Sequence, residues 1–230
     1  MSKKKLVVLT GAGISAESGI STFRDSNGLW ENHDVMEVAS PQGWRKNRAL
    51  VLDFYNKRRA QLGEVEPNAA HTGLKDLETD FDVHIITQNV DDLHERGGSS
   101  QILHLHGQLT KVRSSVDENL VYEIDYKPIA EGDKCDKGSQ LRPHIVWFGE
   151  AVPAMETAIA IVEQADFFAV VGTSMAVYPA ASLIQYCPPN IPKFVVDPNQ
   201  PEISLHGIDF IQEKATVGIE ILKKKLNSIE

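Results

Sequence analysis

The chain has 230 residues, of which 42% are hydrophobic and 24% charged, and its formal net charge at pH 7 is −9. This size allows one large globular domain, or a domain with a smaller lobe. The negative charge argues against a nucleic-acid partner. No apolar run approaches the ~20 residues of a membrane helix, so we expect no membrane interaction and a cytoplasmic location. The two cysteines, Cys135 and Cys187, lie far apart and do not indicate a disulfide framework.

Apolar runs typical of strands alternate with helical patterns along the chain. The predicted strands are KLVVLT (5–10), DVHIIT (82–87), QILHL (101–105), HIVWF (144–148), FFAVVG (167–172) and KFVVD (193–197). The predicted helices cover residues 41–62, 68–79, 153–164, 179–186 and 216–226, with Ser40 as the N-cap of the first. This alternation predicts an α/β fold with a Rossmann-like, doubly wound and mostly parallel sheet.

Two regions interrupt the alternation. Residues 31–76 are mainly helical in pattern, and residues 112–140 contain polar turns and one strand-like run, NLVYEIDY. We predict that these two insertions form a second, smaller domain. Residues 1–30, 77–111 and 141–230 would then form the Rossmann-type domain.

A glycine-rich loop, LTGAGISAESGISTFRD, follows the first predicted strand. Gly11, Gly13 and Ala16 fit the pattern G-x-G-x-x-A, which lets backbone amides approach a pyrophosphate. A short glycine turn can also serve only to connect a strand to a helix. A dehydrogenase would continue to a second strand ending in an acid ~20 residues on, whereas here a long polar loop follows. The loop therefore favours chemistry on a dinucleotide itself over hydride transfer.

Polar residues also follow the strand at 82–87, in the segment TQNVDD. Gln88, Asn89 and Asp91 offer amide and carboxylate partners for a ribose and a carboxamide at the edge where parallel sheets bind ligands. The alternative is an N-cap, since Asp91 or Asp92 could start a helix at Leu93.

The segment LHLHG places His104 and His106 two residues apart, on one face of a predicted strand. A histidine pair can bind metal, but no third ligand lies at a suitable spacing, and a structural role is the alternative for either residue. The run HIVWFGE indicates either an edge strand to which an extended peptide could add, or a buried strand with aromatic packing.

Five segments occur in a fixed order: GAGISAESGISTFRD, TQNVDDLHERGG, HLHG, RPHIVWFGE and GTSMAVYPAA. Together they resemble the sirtuins, the NAD-dependent protein-lysine deacylases, and most of all the short bacterial sirtuins with a tyrosine–arginine acyl pocket. The resemblance runs from Leu6 to the last helix. It implies a Rossmann-type large domain, a small domain made from two insertions, NAD as cofactor, acyl-lysine proteins or peptides as substrates, and a monomeric state.

The resemblance also implies roles for single residues. His106 would be the general base, which suits its ordinary pKa of ~6.5, and Asn89 and Asp91 would line the nicotinamide pocket. His104 falls where the family does not require histidine. The implied NAD-binding residues are Gly11, Ala12, Gly13, Ser15, Ala16, Glu17, Gly19, Ile20, Thr22, Phe23, Arg24, Trp30, Gln88, Asn89, Val90, Asp91, His106, Gly172, Thr173, Ser174, Asp197, Pro198, Asn199 and Ala215.

The substrate side of the site is implied in the same way. Val146, Phe148, Gly149 and Glu150 would form one side of an acyl-lysine tunnel and pair with the substrate backbone. On composition alone, the basic helix segment around 55–59 indicates a solvated face. By resemblance, Tyr55 and Arg58, three apart on one helix face, would recognise the terminal carboxylate of a succinyl, malonyl or glutaryl group, to which arginine can bind with two hydrogen bonds.

Most sirtuins hold a structural zinc with two Cys-x-x-Cys pairs. In this chain Ser114 and Ser115 stand near the first pair, and Cys135 alone remains of the second. One thiolate does not make a tetrahedral zinc site, so we predict a degenerate zinc-ribbon-like hairpin without structural zinc.

The resemblance implies a reaction in which nicotinamide leaves NAD and the acyl group is transferred to give free lysine and O-acyl-ADP-ribose. Two alternatives stay open on the sequence. The chain could be a protein ADP-ribosyltransferase, or a non-catalytic sensor of NAD or ADP-ribose, although a sensor need not keep a general base.

Overall fold

The structure is a computed structural model that describes residues 2–21, 29–30, 33–175, 177–200 and 206–229. Its strands are β1 (Lys5–Thr10), β2 (Leu29–Trp30), β3 (His33–Asp34), β4 (Asp82–Thr87), β5 (Ile102–His104), β6 (Gly107–Ser114), β7 (Val121–Glu123), β8 (Leu141–Ile145), β9 (Phe167–Val171), β10 (Lys193–Val196) and β11 (Asp209–Ile211). Its α-helices are α1 (Val35–Val38), α2 (Pro41–Lys46), α3 (Arg48–Leu62), α4 (Ala69–Leu77), α5 (Leu93–Arg96), α6 (Met155–Val162) and α7 (Ala215–Ile229).

Six strands form one sheet in the order β11-β10-β9-β1-β4-β5, and every neighbouring pair is parallel. The packing of the central strand β1 explains why its sequence is a continuous apolar run. Its Leu6 and Val8 pack with α4 and α7 on one face, while Val7 and Leu9 pack with α6 on the other. Both faces are covered, as in other parallel sheets. The predicted α/β class with a mainly parallel sheet is confirmed.

The strands β6, β7 and β8 form a separate antiparallel sheet in the order β7-β6-β8. The prediction of a strand at 144–148 is wrong in its position, because β8 covers Leu141–Ile145 and ends before Val146. The sequence of β8 is not a continuous apolar run, because it contains Arg142 and Pro143, so the search for apolar runs did not detect it. Strand β6 crosses the expected domain limit at 111, whereas β8 begins directly after the limit at 140, and the division into two domains stays a prediction.

The predicted helix at 41–62 is two helices. Ser40 does cap the first, with its hydroxyl accepting from the Gly43 amide at 3.0 Å. Asn47 then leaves the helical conformation (φ −149°, ψ 78°), and its side chain accepts from the Leu50 amide at the start of α3. A side chain that caps a new helix competes with continuation of the old one. The helix predicted at 179–186 is a 3₁₀ helix, Ala180–Tyr186.

Helix α3 is held by polar contacts to two other parts of the chain. Arg59 is fully buried, and its Nε donates to the Leu109 carbonyl on β6 at 2.7 Å. Burial lowers the pKa of Arg59 to about 10, so it remains a cation at neutral pH. Asn56 binds both the amide and the carbonyl of Ile129, at 3.0 and 2.8 Å. The helix that carries Tyr55 and Arg58 is therefore anchored to the antiparallel sheet and to the segment between β7 and β8.

Within the described ranges, no helix is both long and apolar enough to cross a membrane.

The C-terminal helix α7 contacts the sheet so closely at Gly218 that a Cβ there would overlap Val196 Cγ1 on β10. We expect Gly218→Ala to destabilise the fold by ~1–3 kcal/mol, because overpacking a core moves the helix from the sheet. Thermal unfolding of the two proteins measures this. Adding Val196→Ala should restore part of the lost stability, and a double variant no more stable than Gly218→Ala alone would contradict the explanation.

Candidate active site

A cavity of about 580 Å³ opens at the carboxyl edge of the parallel sheet. Residues that follow β1, β4, β9 and β10 all line it. Ligands of open parallel sheets bind at this edge, where the strand order changes direction. The topology alone therefore brings together segments that are distant in the sequence.

Most of the predicted site residues meet in this cavity. Those that line it are Gly11, Ala12, Gly13, Ala16, Glu17, Ile20, Arg58, Gln88, Asn89, Val90, Asp91, His106, Val146, Phe148, Gly149, Glu150, Gly172, Thr173, Ser174, Asp197, Pro198, Asn199 and Ala215. Ser15, Gly19 and Tyr55 do not line it. Thr22, Phe23, Arg24 and the side chain of Trp30 lie outside the described residues.

The floor of the cavity is a close contact between two glycine-containing turns. The Gly13 amide donates to the Gly172 carbonyl at 2.8 Å, and the Gly11 amide donates to the Val171 carbonyl at 3.0 Å. A Cβ on Gly13 would lie 2.7 Å from Gly172 Cα, and Gly172 itself has a positive φ of 64°. Glycine is required at both positions, because a side chain would separate the turns and Gly172 adopts a left-handed conformation. Instead of one long helix, two single 3₁₀ turns follow, Ala12–Ile14 and Ala16–Ser18.

A hydrogen-bonded group of buried side chains lies beside this floor. The Ser15 hydroxyl donates to Asp91 Oδ2 at 3.0 Å and accepts from Asn89 Nδ2 at 3.1 Å. His71 Nε2 lies 3.5 Å from the same hydroxyl, while its Nδ1 accepts from the Asn68 amide. Ser15 thus fixes Asn89 and Asp91 from behind, although it does not line the cavity itself.

Asp91 has two roles in the structure. Its Oδ1 accepts from the Leu93 amide at 3.2 Å at the start of α5, whereas the N-cap position of that helix is Asp92. It also lines the cavity. Burial raises its pKa, against the opposing effect of the bonds from Leu93 and Ser15. Asp92 makes no side-chain cap bond and instead accepts from the Tyr126 hydroxyl at 2.6 Å.

His106 lies at the cavity wall with its orientation fixed. Its Nδ1 is 3.0 Å from the Gln88 carbonyl, which can only accept, so Nδ1 carries the proton and Nε2 is the basic nitrogen. Burial lowers the pKa of His106 despite the opposing bond to Gln88. At neutral pH the ring is therefore unprotonated and able to accept a proton at Nε2.

Both ring nitrogens of His104 lie within hydrogen-bond distance of groups of the protein itself. Its Nδ1 lies 3.1 Å from the Asn89 carbonyl, and its Nε2 lies 2.7 Å from Glu95 Oε1. The strand ends at His104, so the two histidines do not share one strand face.

The segment after β8 forms the opposite wall. The Val146 amide donates to the His106 carbonyl and the Phe148 amide to the Ala39 carbonyl, both at 2.9 Å. The predicted edge strand is thus replaced by an irregular segment whose amides at 146 and 148 bond within the protein. These two amides are therefore not available to an added strand. Phe148 is 43% exposed and stands at the mouth of the cavity.

Glu150 holds this wall in place. Its carboxylate accepts from Arg142 at 2.7 and 3.1 Å, from Arg113 at 3.2 Å and from the Trp147 amide at 2.8 Å. Burial alone would raise the pKa of Glu150, but the bonds from Arg142 and Trp147 lower it below its ordinary value. The carboxylate oxygens of Glu150 thus accept hydrogen bonds from donors within the protein.

The two residues of the expected acyl pair occupy different positions. Arg58 lines the cavity and also a smaller one of about 300 Å³ on its other side. Tyr55 is fully buried behind the wall, and its hydroxyl accepts from Trp147 Nε1 at 3.0 Å. Burial raises the pKa of Tyr55, so the phenol is protonated at all physiological pH values.

Several residues that line the cavity were not predicted. They are Ser21, Ala39, Ile145, Trp147, Val152, Val177, Tyr178, Pro179, Val196 and Lys214. Three of these residues lie inside the segments RPHIVWFGE and GTSMAVYPAA, which the sequence analysis had already assigned to the site: Trp147, Val177 and Tyr178. No sequence motif indicated Ala39 or Lys214, because only the folded chain brings them to the cavity.

At the hairpin, the expected zinc position holds a hydrogen-bonded cluster. Cys135 Sγ lies 3.3 Å from Ser114 Oγ and 3.1 Å from Ser139 Oγ, and the two hydroxyls are 2.8 Å apart. In the part of the chain that the structure describes, no three histidine, cysteine or acidic side chains are grouped to hold a metal. One sulfur and two hydroxyls do not fit the donor set that structural zinc requires.

Comparison with known proteins identifies the family. Residues 11–179 match the model of the Sir2 family. A protein of Helicobacter pylori named NAD-dependent protein deacylase is 56% identical over 224 residues, covering 97% of each chain. One of the same name from Bacteroides thetaiotaomicron is 53% identical over 229 residues, covering 97% of this chain and 98% of its own. The chain belongs to the Sir2 family.

Solved Sir2 structures agree with this assignment. A Sir2 homologue in complex with NAD has a TM-score of 0.87 and 39% identity, covering 99% of this chain and 91% of its own. A Sir2 protein bound to an acetylated peptide has a TM-score of 0.77 and 25% identity, covering 98% of this chain and 94% of its own. The fold is that of a Sir2 protein.

Proposed function

We propose that this Sir2 protein is an NAD-dependent protein-lysine deacylase that removes acetyl and acidic acyl groups, succinyl and malonyl among them, and releases nicotinamide and O-acyl-ADP-ribose. The coarse activity rests on relatives of 56% and 53% identity that are named NAD-dependent protein deacylase. The observation that carries the finer proposal is that one cavity joins the glycine floor, His106 and Arg58.

The residues at the floor fit NAD. Gly13 and Gly172 leave space that a Cβ would fill, and such a floor admits a pyrophosphate close to backbone. Asn89 and Asp91, fixed by Ser15, offer an amide and a carboxyl group for a carboxamide. Asp197 lines the other end of the cavity and offers acceptors for a ribose diol. We infer that nicotinamide lies beside Asn89 and adenosine beside Asp197.

When bound, NAD supplies the ADP-ribose that receives the acyl group. In this scheme His106 accepts, at Nε2, a proton from a ribose hydroxyl, while the Gln88 carbonyl holds the ring by Nδ1. Phe148 and Val146 cover the acyl-lysine and restrict water. Arg58 donates to the distal carboxylate of an acidic acyl group, which an acetyl group lacks.

The base assignment predicts that His106→Ala removes turnover, by ~100-fold or more, while leaving NAD binding nearly unchanged. Nicotinamide release and calorimetric titration with NAD measure the two effects.

In the wild-type protein kcat/KM should fall as the pH decreases, with a midpoint below the ordinary histidine value of 6.5, because the base works unprotonated and burial lowers the pKa of His106. A His106→Ala variant that keeps most of its activity would refute the assignment of His106 as the base.

The acyl assignment is tested with two peptides of one sequence, acetylated or succinylated on lysine. We expect Arg58→Met to lower kcat/KM for the succinyl peptide roughly 100-fold and for the acetyl peptide no more than about threefold, since only the first loses a charged hydrogen bond. The matched control is Lys57→Met, which removes a neighbouring charge that pairs with Asp53 at 2.7 Å. Equal losses on both peptides with Arg58→Met would show that this arginine does not read the carboxylate.

We also propose that the protein needs no structural zinc. Elemental analysis of untagged protein from zinc-supplemented medium should find well below one zinc per chain, and a chelator should leave the unfolding temperature unchanged, because a group of Cys135, Ser114 and Ser139 cannot replace four soft ligands. One equivalent of zinc, lost together with thermal stability on chelation, would contradict this.

A further inference from the structure

The carboxylate of Glu17 joins the glycine loop to the start of the C-terminal helix α7. Its Oε2 accepts from the Thr216 amide at 3.1 Å, and its Oε1 accepts from the Thr216 hydroxyl at 3.0 Å. The two residues are 199 positions apart in the chain, on segments that follow the parallel strands β1 and β11. This pair of bonds, the Glu17–Thr216 bridge, therefore connects two distant parts of the chain at the carboxyl edge of the sheet.

The bridge satisfies a backbone group that the helix cannot satisfy itself. The first four amides of a helix have no acceptor within the helix, and the Thr216 amide is one of them because α7 begins at Ala215. A carboxylate at this position supplies the acceptor and interacts favourably with the helix dipole. Both oxygens of Glu17 are thus directed towards the start of α7.

The residues around the bridge form part of the cavity wall. Glu17 lines the cavity, and so do Lys214 and Ala215, which directly precede Thr216. Thr216 is not one of the described residues that line it. Ala215 is only 4% exposed, so the start of the helix is packed into the wall. If Thr216 moved away from Glu17, the wall would move with it and this end of the cavity would become wider.

The charge of Glu17 gives the bridge a second consequence. Glu17 belongs to the glycine loop whose Gly13 forms the cavity floor, where a pyrophosphate is proposed to bind. A carboxylate that faced a pyrophosphate would repel it. Because the bridge directs the Glu17 oxygens to two donors of Thr216, it also orients this charge.

We propose that Thr216 is a positioning residue for the adenosine half of NAD. Through Glu17 it holds the start of α7 against the glycine loop and so sets the width of this end of the cavity. The inference rests on the proposed function and, within it, on the placement of adenosine beside Asp197. The nicotinamide end has its own support, since Ser15 holds Asn89.

The test uses the full chain with two variants that remove the Thr216 hydroxyl, Thr216→Val and Thr216→Ala, and one that keeps it, Thr216→Ser. Calorimetric titration gives the Kd for NAD and for ADP-ribose. We expect the first two variants to raise both values about three- to tenfold, because affinity falls in proportion when only roughly a tenth to a third of the molecules hold the binding geometry. Thr216→Ser should bind both ligands like the wild-type protein.

A steady-state assay shows whether the effect is confined to the adenosine end. At saturating NAD, kcat, the KM for the acetyl peptide and the inhibition constant of nicotinamide should each change less than about twofold in Thr216→Val. A loosened fold would instead alter all of these together. Circular dichroism checks folding, and Thr216→Ala decides if Thr216→Val does not fold.

Lys225→Met is the matched control on the same helix. Lys225 Nζ donates to Asp209 Oδ2 at 2.7 Å and thereby attaches α7 to β11, and neither residue lines the cavity. Its loss should leave the Kd for NAD within about twofold of the wild-type value. In a Glu17→Ala background, Thr216→Val should also change that Kd less than about twofold, because the acceptor of the hydroxyl is already absent.

Three results would overturn the inference. The first is an unchanged Kd for NAD in Thr216→Val and Thr216→Ala. The second is an equal rise with Lys225→Met, or an equal rise in the KM for the peptide, either of which would assign Thr216 to the attachment of the helix alone. The third is a full effect of Thr216→Val without Glu17. The proposed function fails separately, if the wild-type protein neither binds NAD nor removes an acyl group.

Discussion

The close backbone contact between Gly13 and Gly172 is the constraint on which the site depends. The turn after β1 can donate to the turn after β9 at 2.8 Å only because neither glycine carries a Cβ. This contact places Ser15 so that its hydroxyl meets Asn89 and Asp91, which follow the next strand, β4. A parallel sheet brings the strand ends to one edge, and the glycines then make that edge narrow enough for buried polar groups to bond across it.

Helix α3 connects the rest of the molecule to this edge. Its Arg59 donates to β6, and its Asn56 makes two bonds with Ile129 in the segment between β7 and β8. The Tyr126 hydroxyl makes a further bond, to Asp92 at the start of α5. These contacts attach the segment between β7 and β8 to the helix and to the sheet edge by side chains of the protein itself, which supports the proposal that it needs no structural metal.

The sequence predicted best where one local rule decides the structure. β1 and β4 were predicted to the residue, because strands buried on both faces are continuous apolar runs. The break at Asn47 was missed because no proline or glycine stands at residues 45–48, and only the cap bond to Leu50 shows that a new helix begins there. β8 was misplaced because Arg142 is polar in sequence but buried in the fold by its pairing with Glu150. Ala39 and Lys214 reach the cavity through tertiary structure alone.

Motif membership also does not fix what a residue does. By resemblance, Glu150 is expected to form part of an acyl-lysine tunnel, and in the structure its oxygens accept from Arg142, Arg113 and a backbone amide. A carboxylate that accepts several charged and amide donors is costly to redirect. Glu150 thereby holds Arg142, whose guanidinium lies 3.3 Å from the centroid of the Trp147 ring. Arg58, by contrast, lines the cavity, which supports the proposal that it binds the carboxylate of an acidic acyl group.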